Sequence, residues 1–119
     1  MVIGKQFTFC ASHHLPFMPL GHKCSNLHGH TFKFTVYIGG EPSEPEGMIV
    51  DFGIMKEWVQ KEVIEKLDHS HLNDTIPNPT AENISLWIME VLDDAPFNVV
   101  RVRVYESDTA FAEVENASR

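Results

Sequence analysis

The sequence predicts an α+β domain in which a four-stranded antiparallel sheet carries two helices on one face, in the order β-β-α-α-β-β. Two patterns point there. Alternating apolar and polar residues lie toward both ends of the chain, as half-buried strands require. Two stretches between them space their apolar residues three and four apart, the period of a helix with one buried stripe. No repeat, low-complexity tract or linker divides the 119 residues, so residues 1–119 form a single domain. A chain of this length buries roughly two-thirds of the surface that it exposes when unfolded.

Residues 2–13 are rich in Phe, Ile and Val and suit a strand, with Phe7 and Phe9 on one face and Thr8 and Cys10 on the other. Cys10 there reads as a small packing residue. Leu15 to Leu27 holds Pro16, Pro19 and Gly21 and forms an irregular loop. A second strand is expected at about 30–38, where Phe32, Phe34, Val36 and Ile38 alternate with Lys33, Thr35 and Tyr37. Met48 to Phe52 leads into a helix at about 53–67, with Met55, Trp58, Val59, Val63 and Leu67 on its stripe. A loop follows over 68–79. Thr80 then suits an N-cap, with Glu82 in the first turn and Ile84, Trp87, Ile88, Val91 and Leu92 as the buried face. Pro96 closes this helix. A strand over 99–105 sets Val100, Val102 and Val104 against Arg101 and Arg103, and Ser107-Asp108 turns the chain into a last strand at about 109–115. The sheet face without helices keeps Thr35, Tyr37 and several charges, and the free edges favour a ring-like homo-oligomer.

Nine Lys and Arg against 17 Asp and Glu give a formal net charge of -8. That balance argues against nucleic acid and against an anionic membrane as partners, since both need a basic footprint. Lys5 and Gln6 break the N-terminal apolar run, so no signal peptide is expected, and no run has the length of a membrane span. Two cysteines are too few for a disulfide scaffold. A Cys10–Cys24 bridge stays open, but a reduced, cytoplasmic protein is the expectation.

The densest chemistry lies in Cys24-Ser25-Asn26-Leu27-His28-Gly29-His30, with His13 upstream. Histidines two apart in an extended segment project from one face. With His13 they form a three-imidazole set that leaves a fourth position open, the arrangement of a catalytic zinc. Taken alone, His13 is more simply a surface residue; His28 and His30 together point to a site. Cys24 is open to two readings: a fourth zinc ligand that would close the site, or a reactive thiol favoured as thiolate by Lys23.

Asp68-His69 follows the first helix. It suits a proton shuttle with its orienting carboxylate, or equally a histidine complementing a helix C-terminus. Glu106 ends an apolar strand, where a carboxylate can accept two parallel hydrogen bonds from a guanine- or pterin-like ring. A plain strand-end glutamate is the alternative.

These pieces resemble, in order and over nearly the whole chain, the 6-pyruvoyl-tetrahydropterin synthase / 6-carboxy-tetrahydropterin synthase family. The matching stretches are Phe9 to His13, Cys24 to His30, Gly47 to Phe52, Leu67 to Asn73, Pro79 to Asn83 and the strand ending at Glu106. The resemblance implies the tunnelling fold (T-fold), in which sheets join into barrels, as a homo-hexamer of two trimers with active sites between subunits. It implies zinc on His13, His28 and His30; proton handling by Cys24, Asp68 and His69; and pterin binding by Glu106 with Thr80. The three-residue spacer between Cys24 and His28 resembles the carboxy-tetrahydropterin branch. The implied substrate is 7,8-dihydroneopterin triphosphate, cleaved to 6-carboxy-5,6,7,8-tetrahydropterin, a precursor of queuosine and other deazapurines. Ser107 stands where that family is expected to have threonine.

Overall fold

The computed structural model describes residues 1–19, 21, 22 and 27–117. Strands β1 (Val2–His13), β2 (His28–Gly39), β3 (Val99–Tyr105) and β4 (Phe111–Glu115) form one antiparallel sheet in the order β1-β2-β3-β4. The helices are inserted between β2 and β3 and cover one face. The expected α+β order is therefore the one observed. β2 starts two residues earlier than expected, at His28, because β1 pairs with it as far as His13↔His28.

Helix α1 (Phe52–Val59) is capped by Asp51, whose carboxylate accepts from Gly53 N–H at 2.7 Å. It continues into a π segment (Gln60–Ile64) and a last α turn (Glu65–Leu67). The stripe explains the π segment. Met55, Val59, Val63 and Leu67 are all fully buried and recur every four residues. An α-helix repeats every ~3.6 residues, so it would swing such a stripe by about 40° at each repeat. The wider π coil offsets that drift and keeps all four on the sheet. Helix α2 (Ala81–Val91) begins as expected, with Thr80 Oγ1 accepting from Asn83 N–H at 3.1 Å. It buries Ile84 and Ile88, and Leu92 follows them into the core.

The core joins these helices to Phe7, Phe9, Phe32, Phe34, Val36 and Ile38 of the first two strands. Phe7 stacks on Phe34 at 5.4 Å between centroids, and Phe9 on Phe32 at 5.0 Å. A register shift beside Tyr37 and Ile38 alters the expected valine row of β3. Val99, Val102 and Val104 are buried, while Val100 is only half-buried.

The uncovered face is polar and aromatic, as expected. Arg101 lies over Tyr37 at 4.5 Å from the ring centre, and Arg103 over Phe111 at 3.9 Å. Cys10 faces this side, exposed and with a free thiol, and so is not the packing residue that its strand suggested. Its Sγ lies 3.5 Å from the Thr31 hydroxyl across the ladder. Among the described residues no helix is long and apolar enough to cross a membrane.

Phe34 is fully buried between Phe7 and Phe9. Phe34→Ala is expected to lower unfolding free energy by about 3–5 kcal/mol, read from urea denaturation followed by tryptophan fluorescence.

Candidate functional site

The β1–β2 register builds the first cluster. Phe9, Ala11 and His13 alternate onto the core face and sit opposite Phe32, His30 and His28. The phenylalanines pack the core; the next pair on that face sets His30 opposite Ala11, and the one after it sets His13 opposite His28. His13 and His28 meet with their Nε2 atoms 2.9 Å apart. The other ring nitrogen of His13 lies 3.3 Å from the Pro79 carbonyl. A carbonyl only accepts, so Nδ1 carries the proton and the Nε2 lone pair faces His28. Burial pushes the His13 pKa below its ordinary value, helped by the neighbouring His28 and His30 and opposed by the Pro79 hydrogen bond and by Glu106. Neutral imidazole is the form that binds a metal, so the pocket favours the ligand state.

A hollow of about 40 Å³ opens beside this pair, walled by His13, His28, His30 and Glu106, with Phe32, Pro79 and Tyr105 completing it. Phe32 stands edge-on to both His13 and His30, at 5.0 and 4.6 Å between centroids. His30 is exposed, and its ring centre is 6.3 Å from that of His13, against 4.5 Å for His28. Among the described residues no three His, Cys, Asp or Glu side chains are already closed to metal-binding geometry. The donor set itself fits a borderline cation such as zinc: two facing imidazole nitrogens, one with its proton fixed on the far side, and a third imidazole beside them.

Asp68 and His69 form a second cluster, on the loop that leaves the first helix and runs along the outer edge of β1. Cys10 N–H donates to Asp68 Oδ1 at 2.9 Å, His69 N–H to the Cys10 carbonyl at 2.6 Å, and Ser12 N–H to the Ser70 carbonyl at 3.0 Å. His69 has a left-handed backbone, with φ of 56°. Side chains of consecutive residues ordinarily diverge; this conformation instead brings His69 Nε2 to 3.4 Å from Asp68 Oδ2. The carboxylate thus holds the edge of β1 with one oxygen and steers the imidazole with the other. Cys10, Ser12, His30, Thr31, His69 and His71 line an open hollow of about 720 Å³ here. His30 borders both hollows.

Thr80 lies between Pro79 and Ala81, which line the smaller hollow, and its hydroxyl oxygen is taken up in capping α2. Cys24 lies outside the described residues. Sequence reasoning missed the Pro79 carbonyl that orients His13, and the Ser12 hydroxyl, which sits 3.1 Å from His71 Nδ1. The only signal for the former was Pro77-Asn78-Pro79, a stretch too rigid for an ordinary loop.

A model of the 6-pyruvoyl tetrahydropterin synthase family matches residues 2–117. The chain is 44% identical over 115 residues to an Archaeoglobus fulgidus protein provisionally named 6-carboxy-5,6,7,8-tetrahydropterin synthase, covering 96% of this chain and 95% of that one. It is 30% identical over 141 aligned positions to the 6-carboxy-5,6,7,8-tetrahydropterin synthase of Haemophilus influenzae, covering 95% and 97% of the two chains. The solved 6-pyruvoyl tetrahydropterin synthase of Caenorhabditis elegans shares the fold, with a TM-score of 0.86 at 21% identity over 98% of this chain and 96% of that one. By the extent of the family match and by these identities, the chain belongs to the 6-pyruvoyl tetrahydropterin synthase family.

Proposed function

We propose that this chain is a zinc-dependent lyase that converts 7,8-dihydroneopterin triphosphate and water to 6-carboxy-5,6,7,8-tetrahydropterin, acetaldehyde and triphosphate. The observation that carries this reading is the pair of imidazole Nε2 atoms, 2.9 Å apart, in a hollow that they share with Glu106. His13, His28 and His30 hold the zinc, His30 joining by rotation of its exposed side chain. Bound zinc supplies Lewis acidity toward the oxygens of the substrate's side chain. Glu106 accepts the paired N–H groups of the pterin ring, and Thr80 with its flanking main chain meets the ring edge. Cys24 and His69 move the protons, and Asp68 fixes where the His69 imidazole points. The working form is a homo-hexamer of two trimers in which Asp68 and His69 serve the Cys24 of a neighbouring chain. The product suits queuosine and other deazapurine synthesis.

Mass spectrometry of the products tests the reading. Acetaldehyde with a carboxylated pterin supports it; a pyruvoyl product assigns the 6-pyruvoyl-tetrahydropterin synthase reaction, and no turnover leaves a zinc- or pterin-binding protein. Protein purified without chelator is expected to contain zinc by elemental analysis, and to lose turnover on chelation and regain it with added zinc. Cys24→Ala is expected to keep its zinc and lose turnover by ~10²–10⁴-fold, the usual contribution of a positioned proton carrier. Retained turnover removes Cys24 from the mechanism, and lost zinc makes it a metal ligand. Asparagine accepts a left-handed backbone, so His69→Asn is expected to keep the wild-type melting temperature while losing turnover to a similar extent.

A further inference from the structure

Three successive carbonyls behind the imidazole pair are each taken by a side chain from a different part of the fold. The Pro77 carbonyl accepts from Asn73 Nδ2 at 3.3 Å, that of Asn78 from Asn83 Nδ2 at 2.9 Å, and that of Pro79 from His13 Nδ1 at 3.3 Å. The donors come from a 3-10 turn (Leu72–Asp74), from α2 and from β1. Two prolines fix φ and remove two N–H donors, so the segment is placed by what its carbonyls accept. Asn73 does more. Its Oδ1 accepts from His14 N–H at 3.0 Å, and its Nδ2 also donates to the His14 carbonyl at 2.9 Å. These partners fix which end of the carboxamide is which. One head group therefore ties the residue after His13 to the residue two before the carbonyl that receives the His13 proton.

We infer that residues 77–79 form a strap that imposes the Nδ1–H tautomer on His13, with Asn73 and Asn83 as positioning residues that hold the strap within hydrogen-bonding reach. With Nδ1 committed to Pro79, the Nε2 lone pair must face His28. Loosening either carboxamide withdraws the acceptor, and the Nε2–H tautomer, which cannot ligate through that nitrogen, gains population. Only the metal arm of this inference rests on the zinc reading above.

Asn73→Asp and Asn83→Asp keep the size of each side chain but set a carboxylate oxygen against the carbonyl that each carboxamide holds, leaving that of Asn78 with only the Thr80 N–H at 2.9 Å. Two measurements follow, at a temperature where circular dichroism shows each variant folded. They are the imidazole ¹⁵N shifts of His13 in metal-free protein and zinc affinity by chelator competition. The wild type is expected to show a single Nδ1-protonated His13. Each variant is expected to show an admixture of the Nε2–H form and a zinc dissociation constant raised ~10–100-fold, the usual effect of removing an outer-shell partner. Variants that keep the wild-type tautomer and affinity, and lose only melting temperature, overturn the inference. If Asn73→Asp does not fold, Asn83→Asp decides alone, since it acts on a different carbonyl from a different element. A wild type that binds no zinc overturns the metal reading, and the metal-free ¹⁵N comparison still decides the strap.

Discussion

The register between β1 and β2 is the constraint on which the rest depends. Side chains alternate strictly along a strand, so the face that buries Phe7 and Phe9 must also present Ala11 and His13. The same holds for Phe34 and Phe32 followed by His30 and His28. A slip of one residue would turn one strand's phenylalanines to the polar face and part the imidazole pair in the same move. Core formation therefore selects the register, and the register brings the imidazoles of His13 and His28 together. No separate stabilising interaction is needed to bring His13 opposite His28.

At the outer edge of β1 the order is reversed, and the loop that carries Asp68 and His69 stabilises a weak element. An edge strand leaves every second N–H and carbonyl unpaired. Here Asp68, His69 and Ser70 satisfy three of them, on Cys10 and Ser12. The left-handed residue that makes this docking possible is also the one that turns the imidazole back onto Asp68. A strained φ at a histidine has a reason in such a place: the strand-like contacts on both sides over-determine it.

The strands, the helix pair and the Thr80 cap were legible in the sequence because each is a local pattern. The stripe from Met55 to Leu67 shows a helix, and Thr80 shows where the next begins. What stayed hidden depends on contacts between residues far apart. Cys10 alternates correctly, but alternation alone does not say which face lacks helices. The valine row of β3 reads as Val100, Val102 and Val104 until the bulge beside Tyr37 substitutes Val99. That Asp68 reaches the imidazole of its own neighbour depends on the left-handed φ of His69, which nothing about a histidine announces in the sequence. The imidazole trio was visible as spacing; that His13 and His28 pair closely while His30 stands off came only from the structure.

Phe32 shows why fold and site cannot be separated here. Its ring is 4% exposed, stacks on Phe9 and belongs to the central core. It also stands edge-on to His13 and His30, at interplanar angles of 84° and 83°. Ring edge against ring face is the favoured arrangement of two aromatic quadrupoles, so the core directly supports both imidazoles. The same ring packs against His13, whose burial pushes its pKa below the ordinary value. Since the imidazoles are the end of the row that the core begins, any change that loosens the packing of Phe32 must reach the site as a change in ring orientation and in hydration together.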